Sequence, residues 1–116
     1  EYHDGTVQGI CIRLDRLLAR PQPPTAFLVS RATYALTALG HLIQRNLRFP
    51  DEAAFISRSH ESFLEHVVPS VARYQIDASI FAHKLSRVVL DITAGGNPHS
   101  RGHLLMPQFI PGQTLG

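Results

Sequence analysis

The chain has 116 residues, a formal charge of +2 and a pI near 9.1, with 44% hydrophobic and 17% charged residues. That length fits one domain able to bury roughly two-thirds of the surface of its unfolded chain, and the composition excludes disordered and fibrous classes. A single cysteine, Cys11, excludes an internal disulfide framework and reads as a small apolar residue in a reducing compartment.

From Gly5 to Arg20 the apolar residues Val7, Ile10, Cys11, Leu14, Leu17 and Leu18 recur at i, i+3, i+4 and i+7, the pattern of an amphipathic helix. Asp4 is its expected N-cap, and the Pro-Gln-Pro-Pro run from Pro21 ends it. Arg13, Arg16 and Arg20 lie on the face opposite the leucines.

Thr25 to Arg48 is apolar on all but one narrow strip. Val29, Ala32, Leu36, Leu39 and Ile43 line one side, Leu28, Ala35 and Leu42 the next, and Ser30, Thr33, Thr37, His41, Gln44 and Arg48 form the polar strip. A helix of that kind must be wrapped by others. The segment therefore predicts a central helix inside an all-α domain.

Phe49-Pro50-Asp51 predicts a turn into a third helix carrying Ile56, His60, Phe63, Leu64 and Val67 on one face, with a stop or kink at Pro69. Asp77 is the expected cap of a fourth helix, whose apolar stripe is Ile80, Phe81, Leu85, Val88 and Ile92. Ala94-Gly95-Gly96-Asn97-Pro98 ends it. The predicted architecture is a four- to five-helix bundle over residues 1–97, built around residues 25–48, followed by an extended apolar tail over 98–116.

Chemistry-bearing motifs are few. His60 and His66 are six residues apart, about 240° around a helix, so they cannot share a metal on one face. His99 and His103 have a spacing that a loop could wrap around an ion, but no cysteine or further acid follows them. No serine stands in a Gly-x-Ser-x-Gly elbow, and Gly95-Gly96 follows a helix rather than preceding one, the reverse of a phosphate cradle. No catalytic residue, cofactor or metal ligand is assigned, and the motifs point away from an enzyme.

Function is then read by elimination. The expected role is a protein–protein interaction or assembly module, part of a larger intracellular protein of cytoplasm or nucleus, with no membrane partner, since no apolar run reaches about 18 residues. Leu104, Leu105, Met106, Phe109 and Ile110 lie in a segment broken by Pro107 and Pro111. They are expected to dock on another protein or a second copy. The alternative is a basic helical nucleic-acid-binding domain using Arg13, Arg16, Arg20, Arg45 and Arg48, ten of the eleven basic residues in the chain being arginine.

Overall fold

The computed structural model describes residues 3–95 and 104–116. In chain order the elements are α1 (Val7–Leu18), β1 (Ala26–Val29), α2 (Ala32–Gln44), β2 (Ala54–Ser57), a 3-10 turn (Ser62–Glu65), β3 (Ala72–Gln75), α3 (Ala78–Thr93) and β4 (Gln108–Ile110). The four strands make one sheet in the order β1-β2-β3-β4, and β1, β2 and β3 run parallel. The chain is α/β. The predicted all-α bundle, and the central helix over residues 25–48 on which it rests, are both incorrect.

The physical reason lies in two short apolar runs. Ala26-Phe27-Leu28-Val29 is apolar at every position although only Phe27 of the four is buried, so its sequence carries no alternation to set it apart from the helix that follows. Arg31 separates the two: its backbone is extended, at φ −119° and ψ 140°, and the helix begins only at Ala32. Ala54-Phe55-Ile56-Ser57 repeats the situation. It pairs in register with β1, Ala26 opposite Ala54 and Phe27 opposite Phe55. The third helix expected there is instead β2 and a 3-10 turn anchored by buried Leu64.

The core forms where α2 lies on β1 and β2. Ala32, Ala35, Ala38, Leu39 and Leu42 are buried along one side of α2, and the three alanines let its backbone approach the sheet. Phe27 and Phe55 meet that face, Phe55 with its ring edge toward Phe49 at 5.8 Å between centroids. Ile10 and Leu14 of α1 extend the same cluster. The cap of α1 is Thr6, whose Oγ1 accepts from Gly9 N–H at 3.0 Å. Asp4, the residue expected in that role, instead accepts from the N–H and hydroxyl of Thr6.

Across the helices, Asp15 accepts from His41 Nε2 and Arg45 Nη2, each at 2.8 Å. The hydrogen bond from His41 is the main cause that lowers the Asp15 carboxyl from its ordinary range; desolvation opposes it, and the hydrogen bond and charge of Arg45 add to the lowering.

Residues 112–115 return to the sheet. Thr114, fully buried, accepts from Phe55 N–H through its carbonyl at 2.8 Å, while its hydroxyl donates to Phe55 C=O at 2.7 Å and accepts from Ala72 N–H at 3.0 Å. One side chain thus occupies the gap where β2 and β3 begin. Gly112 permits the approach, since a Cβ there would stand 2.4–2.6 Å from backbone atoms of Ser70, Val71 and Ala72.

The chain divides into two compact units, residues 1–74 with 109–116, and residues 75–108. The second holds α3, capped by Asp77 as the sequence predicts: its Oδ1 accepts from Ser79 and Ile80 N–H. His99 and His103, and the predicted boundary between residues 97 and 98, lie outside the described residues.

Candidate functional site at the carboxyl edge of the sheet

Parallel strands followed by helices leave a crevice at their carboxyl ends, and ligands of open α/β sheets bind there. In this chain that edge is built from Ser30 and Arg31 after β1 and Arg58 to Glu61 after β2, with Arg73, near the start of β3, in register with Ser57 at the end of β2. The first two loops are joined to each other. Arg58 N–H donates to Val29 C=O at 2.8 Å, carrying the ladder one residue past the strands. Ser59 Oγ then accepts from Ala32 N–H at 2.8 Å, supplying the cap that Arg31 does not provide to α2. Ser57, buried beneath them, donates through Oγ to Ser59 C=O at 2.7 Å.

Below this junction lies a charged network. Arg73, nearly buried, donates from Nε to His60 Nδ1 at 3.0 Å and from Nη1 to Val71 C=O at 3.1 Å. Its Nη2 stands 3.5 Å from Glu65 Oε1, and His60 Nε2 stands 3.7 Å from the same oxygen. Arginine can only donate, so His60 accepts at Nδ1, and its proton in the neutral ring sits on Nε2, toward Glu65. The 3-10 turn, fixed by Leu64, holds Glu65 at that position. Buried Arg73, partly buried His60 and the exposed carboxylate of Glu65 make a hydrogen-bonded floor rather than a reactive centre.

Above it Arg31 and Arg58 have no ion pair among the described residues, and Arg31 lies 5.5 Å from the Tyr34 ring centroid. Forked guanidinium donors of this kind suit a ligand rich in oxygen acceptors, whereas Ser30 lines the cavity beside β1. Among the described residues no group of three or more His, Cys, Asp and Glu side chains is placed to hold a metal ion.

The arginines singled out from the sequence do not form one face. Arg45 pairs with Asp15, and Arg48 pairs with Glu52 at 3.2 Å. Arg13 and Arg20 line a cavity of about 520 Å³ beside β1, and Arg16 shares a smaller hollow with Arg13. Of the tail residues, Leu104 and Met106 are 72% and 76% exposed, Leu105 and Ile110 are half-buried, and Phe109 stands 5.3 Å from the Tyr74 ring. The carboxyl-edge residues escape the sequence reading, although a signal existed. Ala26-Phe-Leu-Val-Ser-Arg and Ala54-Phe-Ile-Ser-Arg are near repeats, each an apolar run closed by serine and arginine.

A family model described as a periplasmic binding protein-like domain matches residues 3–115. The chain belongs to that family. A LacI family transcriptional regulator from Bifidobacterium animalis subsp. lactis superimposes with a TM-score of 0.86 at 16% identity, over 99% of this chain and 42% of that one. A second LacI family regulator, from Arthrobacter and in complex with lactose, gives 0.82 at 14% identity, over 98% and 43%. In sequence, the probable HTH-type transcriptional repressor ExuR of Bacillus subtilis is 32% identical over 59 residues, 51% of this chain and 18% of the repressor. The chain thus spans less than half the length of these regulators.

Membership in this α/β family overturns the helical assembly module and the helical nucleic-acid-binding domain. The latter also lacks the single basic face it requires, since Arg45 and Arg48 are paired with Asp15 and Glu52. Among the described residues no helix is long and apolar enough to cross a membrane.

Proposed function

We propose that this chain is the effector-binding part of a bacterial transcriptional repressor, and that it takes a small polyhydroxylated ligand at the carboxyl edge of β1, β2 and β3. The observation that carries this reading is the junction at Ser59. It locks two strand ends together and leaves Arg31 and Arg58 without carboxylate partners at the edge where sheets of this class bind ligands. The lactose held by the Arthrobacter regulator supports a sugar-like ligand, and the helix-turn-helix named in the Bacillus repressor supports DNA as the partner of the whole protein. A repressor acts on DNA inside the cell, which gives a cytoplasmic location. The bacterial origin of the similar proteins supports the cytoplasm rather than the nucleus.

Titration of the full gene product with a panel of mono- and disaccharides, lactose included, is expected to show saturable binding. Arg31→Ala should weaken it at least tenfold, about 1.4 kcal/mol, with no change in melting temperature. A folded protein that binds no member of the panel would remove the reading.

The five tail residues belong to the same proposal as the contact for a second copy, supported by the exposure of Leu104 and Met106. Changing both to serine is expected to reduce association in sedimentation while helix content is kept.

A further inference from the structure

The arginines around the sheet differ in what answers their charge. Arg45 meets Asp15, Arg48 meets Glu52, and the buried Arg73 has Glu65 Oε1 3.5 Å from its Nη2. Arg31 and Arg58, both exposed just past the ends of β1 and β2, have no carboxylate partner among the described residues. Glu61, the acidic residue of the loop after β2, is itself exposed and pairs with neither of them.

The fold keeps these two cations together. Val29 lies opposite Ser57, and the bond from Arg58 N–H to Val29 C=O carries the pairing one residue further. Arg58 therefore stands beside Ser30 and Arg31 beside Ser59, on neighbouring backbones about 4.8 Å apart. The bond from Ala32 N–H to Ser59 Oγ ties the two loops at that point. Like charges so placed repel each other, at a cost that water lowers without removing.

Arg31 is also ill suited to the helix it begins. It occupies the N-cap of α2, where side-chain oxygens are the usual caps and the helix dipole opposes a positive charge, and it makes no capping bond. Ser59 caps in its place. A guanidinium kept there against local preference is accounted for by what it binds, and an oxyanion, which accepts two parallel N–H bonds from one fork, is the group that suits it.

On the reading of the carboxyl edge as the ligand site, we infer that the ligand is a sugar carrying an acidic group, a carboxylate or a phosphate, which Arg31 and Arg58 select over the neutral sugar. A neutral sugar can accept hydrogen bonds from both forks but leaves the two charges facing each other. An acidic group answers both.

Calorimetric titration of the full gene product with matched sugars tests this, using glucose and galactose, their uronic acids and their phosphate esters. At neutral pH an acid is expected to bind tighter than its parent sugar by about tenfold or more, the size of one charge-assisted hydrogen bond. Whether the uronic acid or the phosphate ester leads identifies the group, and added salt should narrow the preference. Arg31→Gln and Arg58→Gln should each reduce the preference for the acid while the melting temperature holds, a separation that a merely structural role would not give. Parent sugars bound as tightly as their acids would overturn the inference and leave the ligand site standing. Binding of no member, neutral or acidic, would remove both. A preference that survives in the double glutamine variant would place charge recognition elsewhere and overturn the assignment to these arginines.

Discussion

α2 and α3 both carry an apolar face at helical spacing, but they use it differently. Five residues of α2 are buried against β1 and β2, whereas α3 has no buried residue, and Leu85 in the middle of its stripe is 51% exposed. Periodicity reports that a helix has an apolar face. It does not report whether anything covers it. The strands teach the complement: Phe27 and Phe55, among the most enclosed aromatic residues, sit in short runs whose apolar sequence hides the alternating burial that the strands show.

If that contrast governs stability, a cut in the sheet should cost far more than the same cut in α3. Phe55→Ala removes a fully buried ring against Phe49 and is expected to cost about 3–5 kcal/mol. Leu85→Ala removes a half-exposed side chain and should cost under about 1 kcal/mol. Urea midpoints that coincide for the two variants would break the comparison.

The return of residues 112–115 to the sheet sharpens it. Gly112→Ala places a methyl group within 2.6 Å of three backbone atoms that cannot rotate away, and is expected to cost about 1–3 kcal/mol. Gly40 lies in α2 with nothing within 4 Å of a built Cβ, so Gly40→Ala is the control. There a gain of about 0.5–1 kcal/mol is expected from the better helix former. Thr114→Val keeps the shape but leaves Phe55 C=O and Ala72 N–H without their buried partner, a loss of about 1–3 kcal/mol. Thermal melts of the three variants side by side give the order.

Part of this fold is legible in the sequence and part is not, for reasons that differ by residue. α1 and α3 are recovered because one side of each is polar, and Asp77 is read correctly as a cap because it stands directly before the first helical residue, whereas Asp4 stands two residues ahead of the true cap Thr6. The sheet is lost because its short apolar strands merge in sequence with the segments beside them. Thr25 to Arg48 looks like one helix only if Ser30 and Arg31 are taken as helical, and the information that they are not lies in Ser59, 27 residues away, which caps Ala32. The candidate site is equally non-local. Arg31, Arg58, Ser59 and Arg73 gain meaning only when β1, β2 and β3 stand side by side, and the one local hint is the near repeat of Ala-Phe at 26–27 and 54–55.

The smallest effect belongs to the surface clamp between α1 and α2. Asp15 accepts hydrogen bonds from His41 and Arg45, and these depress its pKa below the ordinary 3.8. A carboxyl whose folded pKa is depressed adds stability that is fully present above its unfolded value and is lost as pH falls through the folded one. Asp15→Asn should therefore melt below the native chain at neutral pH by a small margin, one that high salt narrows, because Arg45 and Asp15 are both substantially exposed. On acidification the two curves should approach each other below about pH 3.8 and meet once the native carboxyl is protonated. Curves that stay parallel down to pH 2 would show that the hydrogen bonds to Asp15 act through shape rather than charge. The clamp would then belong with the packing of Ile10 and Leu14 rather than with the electrostatics of the helix pair.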